Sequence, residues 1–466
     1  MTTELKKGMG LLDTFCMAAG FMIASTLFVL PGIAFEASGP AAIVSYALAA
    51  VLLVPCVLSQ AELATAMPRA GGTYFYVERS LGALAGTLAG LANWFSISLK
   101  SAFALVGIGA FTLLVHPNAT LLQVKIVAIG FCAFFTIINL LSIRSASKTQ
   151  VALVLVLLLA LAVYIAVGIG QIEPAAFADF MPRGLGPVLG TAGMVFVGFI
   201  GLTEIANVAE EIRNPRRNIP LGMFLAFLVV SLVYVLAVAV TIGVVAPDRL
   251  AGSLLPISLG AEVLMGRAGI VLLAIAALLA FVTTANAGIL CASRSLLAMS
   301  RDGLLPSPFR KVSERGATPY FSILFTSAFM VFATSFLSIE NLVKAAATMM
   351  LVLLSLVNLA VIVMREGRVK NYRPSFRAPC YPWLQIAAIG LNALMIFEMG
   401  LFPIIETGVF GLFGLAWFGL YCRRRKKRQS GLVHLAERVT SKRLVDGSLE
   451  DELESINQEK RVARKG

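Results

Sequence analysis

Apolar runs of about 20 residues, separated by short polar stretches, recur along the whole chain. Each is long enough to cross a hydrocarbon layer of about 30 Å. Twelve such runs predict twelve helices, over residues 12–36, 41–66, 84–115, 121–142, 149–170, 187–211, 220–245, 267–297, 319–337, 341–364, 383–402 and 405–422. The third is long enough to be tilted. No small-residue cleavage site leads from the first run into polar sequence, so it reads as a retained span.

Two of these runs, in corresponding positions of the two halves, are interrupted. Leu11–Ala37 contains GFMIASTLFVLPG, with Ala24, Ser25 and Thr26 between apolar flanks. Pro187–Glu211 contains FVGFIGLTEIANVAEE, with Gly198 and Gly201 at its centre. A helix that breaks at bilayer depth exposes N–H and C=O groups, which is tolerated only where they line a cavity or meet a ligand. A matched pair of breaks marks the binding site of many secondary transporters. Half-helix N-termini suit a carboxylate, and freed carbonyls suit an ammonium or a cation. The pair therefore predicts a site for a small zwitterion or an ion. The competing reading is that these small residues only let helices pack closely.

Composition agrees with a membrane protein: 58% of the residues are hydrophobic and 14% charged, with a mean hydropathy of +0.87. Charge sets the orientation. Of the 38 Lys and Arg, Arg183, Arg249, Arg267, Lys344 and Lys125 fall on one side and Lys100 within the bilayer; the rest fall on the other side. The positive-inside rule then predicts a multi-pass protein of the cell membrane with both termini cytoplasmic. The net charge of +13 is this bias, not a nucleic-acid footprint. The basic run CRRRKKRQS (422–430) opens a polar tail over 423–466 and suits anionic lipid headgroups. Six scattered cysteines and two histidines form no ligand cluster, so neither a metal nor another cofactor is expected. No GxxxxGKS/T segment suggests a nucleotide-driven pump, and no nucleophile–base set suggests an enzyme.

One charge stands out. Lys100 lies near mid-bilayer in NWFSISLKSAFA, on one helix face with Asn93 and Ser96. An ammonium there costs about 2.5–3.5 kcal/mol even on gentle insertion scales, so it faces the interior and needs a partner. Glu204, at the start of the inner part of the sixth run, and Glu398 are candidate partners. Glu210 and Glu211 lie nearer the cytoplasm and read as gate or headgroup residues.

Four segments carry a family resemblance. GFMIASTLFVLPG is similar to a G-S-G-I/V-F-x-x-P first-helix motif, and AELATAMPRAGGTYFYVERSLG (61–82) to a P-x-A/S-G-G-x-Y-x-Y loop. GLTEIANVAEEIRNPRRNIP (201–220) is similar to a sixth-helix end with an N-P-x-R-x-I/V-P loop, and ANAGILCASRSLLAMSRDGLLP (285–306) to an eighth-helix end with a D-G-x-x-P loop. Over residues 10–420 the chain resembles the amino acid–polyamine–organocation superfamily of permeases.

The resemblance implies an all-α membrane protein of twelve transmembrane helices with discontinuous helices 1 and 6. It implies a leucine-transporter-like inverted repeat, residues 12–170 against 187–364, with two further helices in 383–422 after a cytoplasmic N-terminus (1–11). It implies alternating-access transport of a small amino acid or amine, by proton coupling or exchange. Polyamine transport, a transporter-fold channel and a nutrient receptor are the alternatives. The site would lie between helices 1, 3, 6 and 8. Backbone at Ala24, Ser25 and Thr26 would cradle a carboxylate, and the carbonyls of Met22, Val197 and Ile200 would meet the amine. Phe199, Gly201 and Ser101 would line the site. Thr283 and Thr284 are candidate ligands of a sodium-like site, the alternative being hydroxyls bonded to their own helix. Lys100 could bind an anionic group of the solute, replace the sodium ion and couple a proton, or pair structurally with Glu204 or Glu398. The chain departs from the family at Ala24 and Thr26, where glycines are usual. It also reads Gly201-Leu202-Thr203 for Gly-Phe-Glu, with its glutamate one place later at Glu204.

Overall fold

The computed structural model describes residues 9–23, 25–67, 72–116, 118–141, 147–205, 212–313, 318–367, 372–422 and 431–432, with backbone alone for 147–150, 200, 203 and 204. Apart from a parallel bridge between Met9 and Ile212, these residues form helices and their connections. Eight of the helical stretches described are long and apolar enough to cross a membrane, and four shorter apolar ones accompany them. The basic run, most of the tail, Glu210, Glu211 and loop residues 68–71 lie outside the described residues.

The first run folds as α1 (Leu11–Met22), α2 (Ser25–Phe28) and α3 (Leu30–Ser38). Then come α4 (Ala42–Ala66), the short α5 (Gly72–Leu81), α6 (Ala83–Ala110), α7 (Thr112–Val115), α8 (Leu121–Leu141) and α9 (Ser147–Gly168). The second half begins with α10 (Leu185–Val195), a 3-10 segment Phe196–Ile200 and α11 (Gly201–Glu204). It continues with α12 (Pro215–Val244), α13 (Pro247–Leu250), α14 (Pro256–Arg301), α15 (Tyr320–Phe336) and α16 (Ile339–Glu366). α17 (Trp383–Glu398) and α18 (Leu401–Trp417) close the bundle. α14 is two helices joined by a kink at Gly266, where φ is 60°, a conformation open to glycine. The predicted start of the eighth span at 267 falls at this joint.

The position of each helix follows from its polarity. In Ala83–Val115, 78% of the most apolar window is buried, against 17% in Leu401–Cys422. α6 therefore forms the centre, packed on α14, α16 and α8, and α18 the rim. Without water, polar side chains must find partners inside the bundle. Many hydroxyls bond the carbonyl one turn back, as Thr136 does to Cys132 and Thr241 to Ala237. Others tie helices together: Ser59 donates to Asn358 at 2.8 Å, Asn139 to Asn286 at 2.7 Å and Trp94 to Thr326 at 3.1 Å.

The densest such tie is at the end of α4. Glu62 is fully buried and accepts from Arg365 Nε at 2.8 Å, Tyr372 Oη at 2.9 Å and the Ala378 N–H at 2.8 Å. Arg365 Nη2 makes a further ion pair with it and donates to Ala378 O at 3.0 Å. The guanidinium also lies 4.5 Å from the centre of the Tyr381 ring, a cation–π distance. Burial first, and the Glu62 carboxylate after it, push the Tyr372 phenol well above its ordinary range, so it remains a donor. One carboxylate thus fastens the connection between α16 and α17 to α4. Glu62→Gln should lower stability by about 3–5 kcal/mol, the usual cost of leaving one member of a buried ion pair uncompensated; thermal unfolding of the solubilised protein measures it.

Candidate functional site

α1 stops because its last residues turn out of helical geometry. Ile23 still donates to Ala19 O at 2.9 Å but has φ −80° and ψ 91°. The last carbonyls of α1 are thereby left without an intrahelical N–H, at a depth where Met22 and Ile23 are fully buried. Side chains from other helices meet them. Tyr234 of α12 donates to Met22 O at 2.7 Å, and Lys100 of α6 donates to Phe21 O at 2.6 Å. Just beyond, Tyr46 of α4 donates to Thr26 O at 2.7 Å. The two tyrosine rings meet edge to face, 5.8 Å apart.

The second interruption lies against the first. Lys100 Nζ is 3.4 Å from Gly198 O, a longer and weaker contact than the one to Phe21. A Cβ on Gly198 would stand 2.6 Å from Thr26 Cγ2, and one on Gly201 would stand 2.7 Å from Ala18 O and 2.8 Å from Met22 N. Glycine at 201 lets the two backbones touch, and glycine at 198 leaves room for the Thr26 methyl and the Tyr234 ring. Phe199, fully buried, packs on Tyr234 and Phe227 with ring centres 5.7 and 6.0 Å away.

The structure thus brings together Met22, Thr26, Phe199, Gly201 and Lys100. Ser101 and Thr284 line a small cavity with Phe21, Ile97, Lys100, Gly201 and Gly288. The hydroxyls of Ser25, Thr26 and Thr284 are buried with no hydrogen-bond partner among the described residues. Ser101 instead donates to Ile97 O at 2.7 Å. Val197 is fully buried in the 3-10 segment. Ala24 and the side chains of Ile200 and Glu204 lie outside what the structure describes. Thr283 stands apart: its hydroxyl bonds Leu279 O at 2.9 Å and Ala280 O at 3.0 Å, and it borders a separate groove with Gly20, Leu153, Val154 and Leu157. Glu398 ends α17 and approaches Gly186 at the start of α10.

Residues 9–411 match the pattern of the family described as Amino acid permease. The chain belongs to that family. Among its relatives, the branched-chain amino acid permease BcaP of Bacillus subtilis is 28% identical, over 91% of this permease and 95% of the relative. BcaP of Lactococcus lactis is 25% identical, over 89% and 94%. The methylthioribose transporter of Bacillus subtilis is also 25% identical, over 85% and 89%.

Of the three side chains that cap the breaks, Lys100 stands out in the sequence, whereas Tyr46 and Tyr234 do not. Tyr46 and Tyr234 sit in mainly apolar stretches of their helices, and their one signal is a polar tip in an apolar run, which needs a partner when buried. Two substitutions should separate backbone approach from capping. Gly201→Ala forces a methyl against main-chain atoms and should cost about 1–3 kcal/mol. Tyr234→Phe removes one hydrogen bond and should cost about 0.6 kcal/mol, at most about 1.7. Thermal unfolding of both variants tests the order.

Proposed function

We propose that this permease is a secondary transporter that carries an amino acid or a related small amine across the cell membrane by alternating access. The observation that carries the reading is the meeting of the two interrupted segments at a polar junction in the middle of the bundle. There Lys100 reaches carbonyls of both, and three buried hydroxyls have hydrogen-bonding capacity unspent. In an apolar bundle such capacity is costly unless a ligand uses it. The eight longer and four shorter apolar helices support twelve spans arranged as an inverted repeat with two added helices. The Lys and Arg distribution supports cytoplasmic termini.

The solute's carboxylate would lie near Ser25 and Thr26, and its amine among the carbonyls at the two breaks. Relatives named for branched-chain amino acids support a small aliphatic amino acid as first candidate. The relative named for methylthioribose keeps a wider panel in view. Thr283 spends its hydroxyl on its own helix, and its groove is lined mainly by apolar side chains. This supports exchange or proton coupling over a sodium ion.

Purified permease in liposomes preloaded with an unlabelled amino acid should take up the same labelled amino acid by counterflow, without nucleotide. A panel of amino acids and polyamines with no counterflow, in vesicles that pass inorganic ions at channel rates, would overturn the reading.

A further inference from the structure

The partners of the Lys100 ammonium include two backbone carbonyls, one from each interrupted segment: Phe21 O at 2.6 Å and Gly198 O at 3.4 Å. A carbonyl freed by a helix break is the acceptor that a solute's amine would seek. The end of a lysine is itself a primary ammonium on a methylene stem. At this place α6 thus supplies, from within the chain, the same chemical group that the solute would present.

Two neighbouring acceptors already carry a donor. Met22 O takes the Tyr234 hydroxyl and Thr26 O takes that of Tyr46. The cavity beside Lys100 has room for about one water molecule and not for a second ammonium with its carbon chain. Its far wall is tight, since a Cβ on Gly288 would lie 1.7 Å from Ser101 Oγ.

We propose that Lys100 is a specificity-determining residue that fills the amine position with its own ammonium, so that a solute's amine binds only by displacing it from Phe21 and Gly198. The inference rests on the reading of the paired breaks as the transport site. One cation replaces another in the displacement. Selection among solutes then falls to what the rest of the molecule offers the hydroxyls of Ser25, Thr26 and Thr284.

The test uses the size of what a truncation removes. Lys100→Ala deletes Cγ, Cδ, Cε and Nζ, the same heavy atoms as n-propylammonium. Thermal unfolding of the full-length solubilised protein is followed against propylammonium chloride, with n-propanol and sodium chloride as controls. Lys100→Ala should be stabilised saturably by propylammonium, with an apparent affinity at least about tenfold tighter than that of the unsubstituted protein, and not by n-propanol. Lys100→Met, which fills the space without charge, should gain nothing.

An equal response in Lys100→Ala and the unsubstituted protein would overturn the proposal. So would n-propanol acting as well as propylammonium, because Lys100 would then only fill space. If Lys100→Ala unfolds on extraction, extraction with propylammonium present should recover it; failure to do so overturns the proposal as well. Counterflow by the unsubstituted protein reads transport separately. Counterflow without propylammonium binding defeats this inference alone, and binding without counterflow defeats the transport reading alone.

Discussion

In hydrocarbon no water waits to satisfy a stray carbonyl, and that constraint organises this bundle. A continuous helix meets it by itself. A broken one cannot, so every interruption must be matched by donors from elsewhere. The end of α1 at Met22 leaves acceptors that two helices answer, α6 with Lys100 and α12 with Tyr234, and α4 adds Tyr46 at Thr26 O just beyond the break. These three side chains hold the segments around the breaks in register. The close approach of Gly198 and Gly201 to the first segment removes the space that would otherwise separate the two. Lys125 shows the same chemistry nearer the rim, donating to Ser335 O at 3.1 Å and Leu337 O at 2.9 Å at the C-terminal end of α15.

The C-terminal end of α4 applies the rule to charge. Glu62 would be prohibitively costly in isolation, yet it lies fully buried because its oxygens receive donors from Arg365, Tyr372 and the Ala378 N–H. A buried pair of this kind adds less to stability than its contacts suggest, since desolvation offsets much of the attraction. What it does contribute is placement: the connection from α16 to α17 has one seating that satisfies the carboxylate.

Much of this was legible in the sequence, and the reason differs by feature. The apolar runs show because the lipid acts on every residue of a span alike. The weak points at Ala24–Thr26 and Gly198–Gly201 show because small and polar residues are conspicuous in such runs, and Lys100 shows because an ammonium there needs a reason. Two of its partners did not show: they are the main-chain oxygens of Phe21 and Gly198, and backbone acceptors leave no trace in residue type. Tyr46 and Tyr234 were hidden for the complementary reason, since a buried tyrosine serves packing as readily as capping. Thr283 and Thr284 are adjacent in sequence yet border different spaces, because neighbours on a helix point about 100° apart.

The hydrogen bond from Tyr234 to Met22 O spans 212 positions of the chain, and this separation bears on how the protein is made. The first span emerges from the ribosome long before the residue that completes its broken end. Until α12 arrives, the Met22 carbonyl must remain near water, near the translocation machinery or in a shallow position, because the lipid interior offers it nothing. Contacts of such long range close late, after the entropy of the intervening loop has been overcome. The N-terminal half is therefore a scaffold awaiting its closure, and a fragment ending before residue 234 would carry the first interrupted segment without the donor that seals it.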